Sequence, residues 1–272
     1  MQIGIFAKTF PGTEPLGVLS AVRDSGYACA QFNLACCGLP SMPDAVSETT
    51  IAAVRSAVEA TGVSLVALSG TYNMAHPDIA IRRTGHTQLA VVIETASALS
   101  IPLVTLCTGT RDPNDQWAHH PDNDDPSAWA DMAAEMSKAL ELAELHGIDL
   151  GIEPEQANIV TSAHDARRLI DEMGSRRLRI VLDPANLFEQ ATPAQARAIV
   201  QEAVETSAGH IALAHAKDRH GDGRFATAGQ GVVDFAHFIA RLRSVKFDGP
   251  LVTHSLSVSE ASGVAGFLKA LI

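Results

Sequence analysis

No basic run interrupts this chain of 272 residues, in which 20 lysines and arginines face 31 aspartates and glutamates for a formal charge of -11. General repulsion from phosphate disfavours nucleic acid and anionic membranes as partners, and a small molecule is expected instead. No apolar stretch approaches the roughly eighteen residues that a membrane span needs. The opening MQIGIFAKTF has no basic region ahead of an apolar core, so no leader is read there and the cytoplasm is the expected compartment. The four cysteines, Cys29, Cys36, Cys37 and Cys107, match no zinc-module spacing, and a chain able to bury a large core has no need of disulfide staples. Reduced thiols follow, with Cys36 and Cys37 expected as small residues lining a pocket. Internal repeats, low-complexity tracts and linkers are also missing, which leaves one domain over residues 1–272.

What the chain does contain is 46% hydrophobic residues, arranged as short β-prone runs that alternate with longer helical patterns. The predicted strands are Gln2–Ala7, Tyr27–Asn33, Val63–Ser69, Leu103–Cys107, Ile148–Glu153, Leu178–Asp183, His210–His215 and Leu251–His254. Each is short and mostly apolar, as strands covered by helices must be. Between them, Asp44–Thr61, Ala128–His146 and Ser162–Met173 place apolar residues at helical spacing. Asp44, Ser127 and Ser162 stand where N-caps belong. Gly26, Gly62 and Gly147 stand where a left-handed helix stop belongs. This order predicts an α/β fold, a single (β/α)8 TIM barrel.

In such a barrel, chemistry gathers where strands end and βα loops begin. The fifth predicted strand ends in Glu153 with Glu155 two residues on, the sixth in Asp183, the seventh in His215 and the eighth in His254. Two carboxylates and an imidazole at equivalent heights suit a divalent ion, Mn²⁺, Mg²⁺, Co²⁺ or Zn²⁺, with positions left for water or substrate oxygens. His254 is a further candidate donor. The polar segment CTGTRDPNDQWAHHPDNDDP after the fourth strand is too long for a plain connection and reads as a substrate cover carrying Arg111. His119, His120 and Asp122 to Asp125 within it read as a solvated surface rather than a second metal site.

The strand-end Glu153 and Asp183 and the segment His215-Ala216-Lys217-Asp218, matching an H-x-K-D signature, are where the chain resembles the sugar phosphate isomerase/epimerase group of xylose isomerase-like barrels. That group includes tagatose and psicose epimerases, inosose isomerases and dehydratases, and endonuclease IV. The resemblance spans essentially the whole chain. It implies a divalent ion held by Glu, Asp, His and a second Glu, proton transfer by the two glutamates on opposite substrate faces, and a tendency to form homodimers. By position the first three ligands become Glu153, Asp183 and His215. The fourth departs from the pattern, because His254 stands where the second glutamate is expected and Asn186 where many relatives have a histidine. Two carboxylates with two neutral imidazoles balance a divalent ion, so the site should be more electrophilic and more tolerant of an anionic ligand. The acidic composition and the lack of extra ligands for three metals disfavour the endonuclease branch.

Each residue also has a plain structural reading. Glu153 or Asp183 alone reads as a capping group, His254 as a hydrogen-bonded strand end, and Lys8 or Lys217 as half of an ion pair. The shared position of Glu153, Asp183 and His215 favours ligation for the set. The expected catalytic residues are Glu153, Lys217 and Glu155, with Lys8, His76, Arg111 and Asn186 as substrate contacts. Asp218 is a further candidate base. The leading expectation is a metal-dependent sugar or keto-sugar isomerase or epimerase acting through an enolate on a sugar or sugar acid. A lyase, decarboxylating or dehydrating a keto sugar acid, and a non-catalytic carbohydrate-binding barrel are the alternatives.

Overall fold

The computed structural model describes residues 1–272. Ten strands form: β1 (Gln2–Phe6), β2 (Cys29–Phe32), β3 (Ser64–Ser69), β4 (Leu103–Leu106), β5 (Asp149–Ile152), β6 (Leu178–Leu182), β7 (Ile211–Ala216), β8 (Asp218–Arg219), β9 (Phe225–Ala226) and β10 (Pro250–Thr253). Eight of them close into a parallel barrel in the order β1-β10-β7-β6-β5-β4-β3-β2. The helices are α1 (Pro15–Asp24), α2 (Glu48–Thr61), α3 (Ile79–Ala98), α4 (Pro126–His146), α5 (Ala163–Met173), α6 (Pro193–Thr206), α7 (Phe235–Ser244) and α8 (Val258–Lys269). Every barrel strand leads into a helix that returns the chain for the next, as parallel pairing requires. The (β/α)8 expectation is met. None of the helices is long and apolar enough to cross a membrane.

Ser162 caps α5 as expected, its side chain accepting from the Asp165 N–H. Two other caps move. Ser47 caps α2, because Asp44 is turned aside to accept from Gln88 Nε2 at 3.0 Å. Asp125 caps α4 by accepting from the Ser127 N–H, and Pro126, which has no N–H to satisfy, fills the first helical position. Gly62 and Gly147 end α2 and α4 in the left-handed region, each at φ +70.

The barrel interior explains how the strands aim the site. Ala67, Leu103, Val181, Leu213 and Val252 form a small buried cluster of their own. Two residues on, and so on the same face of each strand, stand Ser69, Thr105, Asp183, His215 and His254. The apolar set is a floor and the polar set lies above it. Glycines complete that floor where there is no room for a methyl: a Cβ on Gly151 would stand 2.7 Å from Val181 Cγ2, and one on Gly4 2.6 Å from Cys29 Sγ. A larger core of 66 buried residues packs barrel and helices together.

One element was not foreseen. Between β7 and α7 the chain forms the antiparallel β8–β9 pair, and the fully buried Asp218 holds the loop beyond it. Its carboxylate accepts from the N–H groups of Arg219, Gly229, Gly231 and Val233 at 2.8–3.0 Å. Asp218 is therefore committed to the loop and does not line the barrel-mouth cavity as a base.

Candidate metal centre

Glu153, Asp183, His215 and His254 each offer one ligand atom, and these four atoms lie within 4.8 Å of one another. His215 Nδ1 is 3.3 Å from Glu153 Oε1 and 3.7 Å from Asp183 Oδ2. His254 Nε2 is 2.9 Å from the same Asp183 oxygen. The donor set of two carboxylates and two imidazoles fits a first-row divalent ion. The far side of each ring is also engaged: His215 Nε2 lies 2.9 Å from Gln31 Oε1, and His254 Nδ1 lies 3.0 Å from Ser255 Oγ. No second cluster of this kind exists. His120 and Asp125, in the acidic loop, instead cap a short turn and α4.

The groups polarise one another. Burial opposes the charge on Asp183, but the Lys217 ammonium at 3.5 Å and hydrogen bonds from His215 and His254 hold its carboxyl well below the usual carboxylate range. Glu153 is likewise lowered: burial opposes its charge and the His215 cation outweighs it. His215 is pushed up to about 9, because Glu153 and Asp183 overcome its desolvation. His254 is lowered by burial and by the neighbouring His215 charge. Glu155 is raised to about 7 by burial and by the charge of Glu153.

The cluster opens into a cavity of about 420 Å³ whose walls include Lys8, Glu155, Asn186 and Lys217. Asn186 donates to Glu153 Oε1 at 2.7 Å and accepts from Lys217 Nζ, so it ties Glu153 to the buried lysine. Lys217 Nζ also sits 4.1 Å from the centre of the Phe225 ring on β9. Lys8 is exposed at the mouth and makes no ion pair. Gln116 and Trp117 line the cavity, so the long loop after β4 does reach over it.

Two expected substrate contacts lie outside this cavity. His76 accepts from the Asp78 N–H at 2.9 Å and its other nitrogen lies 3.2 Å from Pro113 O, so both ring nitrogens stitch loops together beside the mouth. Arg111 donates to Ala75 O at 3.0 Å and pairs with Asp131 at 2.8 Å, which fastens its loop to α4. Neither lines the cavity. Cys36 and Cys37 do not line it either; Cys107 does, and all four thiols are free. Gln31, Ser69 and Thr105 were missed as site residues. Their signal was an inward polar residue near the end of a buried strand, in the same alternation that gives His215.

None of the curated proteins matches the chain in sequence. Solved structures do match in fold. A 3-keto-D-glucoside 4-epimerase from E. coli superposes with a TM-score of 0.77 at 16% identity, covering 99% of both chains. A D-allulose 3-epimerase from Methylomonas sp. gives 0.77 at 16% identity, over 100% of this chain and 98% of that one. A D-psicose 3-epimerase from Clostridium cellulolyticum H10, solved with D-tagatose, gives 0.76 at 13% identity, over 100% and 99%. At such identities the likeness shows the fold alone. The family model described as xylose isomerase-like TIM barrel matches residues 19–264, and the chain belongs to that family.

Proposed function

We propose that this protein is a divalent-metal-dependent sugar isomerase or epimerase that moves a proton at the carbon next to a carbonyl. The observation that carries this reading is the convergence of Glu153, Asp183, His215 and His254 on one point at the base of a barrel-mouth cavity. The epimerase activities of the structural neighbours support a sugar as substrate. A divalent ion held by these four residues would polarise a carbonyl or hydroxyl and steady the charge that develops when the adjacent carbon loses its proton.

The chain's own groups supply the rest. Glu155, raised to about 7, exchanges a proton readily near neutral pH and faces the same cavity as Glu153. Lys217, fixed by Asn186 and Asp183, holds a positive charge beside them, suited to a substrate oxygen that gains negative charge. Lys8, the one charged group the β1–β4 side gives the cavity, suits the far end of an acidic or hydroxylated substrate. Gln116 and Trp117 of the covering loop restrict water.

All carboxylates of this centre and its cavity, Glu153, Glu155 and Asp183, belong to the β5–β6 side. Proton transfer from one face favours an aldose–ketose type shift over inversion between two opposed glutamates. The same one-sidedness sustains a second reading, a lyase acting on a keto sugar acid. The test is turnover in deuterated water, with Mn²⁺, Co²⁺, Zn²⁺ or Mg²⁺ restored to stripped protein and a panel of ketoses and sugar acids. Metal-dependent deuterium uptake beside the carbonyl, in a product isomeric with the substrate, is expected. Release of water, carbon dioxide or a fragment would make it a lyase, and sugar binding with no exchange under any metal would leave a non-catalytic barrel.

A further inference from the structure

We propose that Gln31 is a positioning residue for the metal centre, selecting the His215 tautomer that presents a bare Nδ1 to the ion. Gln31 lies on β2, across the barrel interior from β7, and its side chain is buried above the floor. Its Oε1 stands 2.9 Å from His215 Nε2. Its own amide nitrogen donates to Ser69 Oγ at 3.2 Å and to Thr105 Oγ1 at 3.3 Å. All four residues are buried, at the base of the mouth cavity, where a hydrogen bond is stronger than in open water.

An amide oxygen can only accept, so a proton must sit on His215 Nε2. The lone pair of a neutral ring is then left on Nδ1, the nitrogen that faces Glu153 and Asp183. With the amide turned over, an N–H would meet Nε2, and the proton would be forced onto Nδ1, where it blocks ligation. In the orientation observed, Ser69 and Thr105 accept both amide protons and anchor the side chain at its nitrogen. Three strands that contribute no ligand, β2, β3 and β4, therefore act on the centre through one side chain. This inference concerns His215 and the ion and rests on the metal reading of the site, not on the identity of the substrate.

The experiment compares metal affinity in purified, refolded-competent protein, using Mn²⁺ and Zn²⁺ alone as probes in calorimetry and mass-spectrometric metal content, with thermal unfolding in parallel. Gln31→Leu and Gln31→Met remove the acceptor, and each is expected to lose about 10- to 100-fold in affinity, the usual worth of a group supporting a metal-bound histidine. Gln31→Glu keeps an acceptor in place and is expected to bind at least as tightly as the natural protein. Ser69→Ala combined with Thr105→Val frees the amide to turn and is expected to lose several-fold with Gln31 intact. Nitrogen-15 correlation spectra of the Zn²⁺-loaded protein should show His215 protonated at Nε2. The proposal is overturned if folded Gln31→Leu or Gln31→Met binds as the natural protein does, if Gln31→Glu loses as much as they do, or if the spectra place the proton on Nδ1. Should both apolar variants fail to fold, the Ser69/Thr105 pair and the spectra decide alone. If the natural protein binds neither ion, the metal reading itself fails, a result distinct from any of these.

Discussion

The two arcs of the barrel mouth are built from the same strand geometry and carry opposite chemistry. From β1 to β4 the inward residues near the strand ends are Phe6, Gln31, Ser69 and Thr105, none of them charged. From β5 through β7 to β10 they are Glu153, Asp183, His215 and His254. The second arc gathers the several charged donors that an ion would need, while the first offers amide and hydroxyl groups that add no charge. Loading all the acids on one arc also lets them be neutralised locally: Lys217 and His215 lie among them, whereas Lys8 on the other side has no partner. If the proposed metal reading holds, the contrast teaches that binding and positioning are divided between halves of one sheet.

The sharpest way to break this division is Asp183→Ala. Asp183 is within 4 Å of His215, Lys217 and His254, and its loss should lower metal affinity by more than about 100-fold, beyond what supporting groups are worth. Full metal content in that variant, measured by mass spectrometry, would end the assignment of the second arc.

A smaller effect follows from pH. His215, raised to about 9, carries a proton at neutral pH that an ion must displace, whereas His254 is lowered and the two carboxylate ligands are already ionised. Affinity should therefore fall as pH drops below about 9, by up to about tenfold per unit, with about one proton released per ion bound at pH 7. Calorimetry in buffers of differing ionisation enthalpy counts that proton; two protons, or none, would contradict the charge pattern of the arc.

The smallest effect tests the first arc. Lys8→Gln should leave metal content unchanged and raise KM for an acidic sugar about fivefold, the worth of one partly solvated charge contact of about 1 kcal/mol. An equal change for a neutral ketose would remove Lys8 from any role in recognising an acid.

How much of this was legible before the structure depended on periodicity. The strand alternation located β5, β6 and β7 to within a residue or two, and with them Glu153, Asp183 and His215. His254, expected as the last residue of the eighth strand, lies one residue past β10 and contributes to the cluster. His76 and Arg111 lie on loops, where no period fixes a direction, and there hydrogen bonds to neighbouring loops decide the outcome. Asp218 was one of several candidate bases, but the N–H groups of its own loop hold its carboxylate. Gln31 was overlooked because an uncharged amide carries no chemical signal by itself; its meaning depends on a histidine 184 positions away.

The glycine at position 151 gives the centre a mechanical character. The Val181 side chain fills the space that a methyl on Gly151 would need, directly beneath Glu153 and Asp183. The two carboxylates thus stand on a contact that has no room for a methyl. A change as small as Gly151→Ala would act as a wedge, shifting the two carboxylates while every residue of the cluster kept its chemical identity.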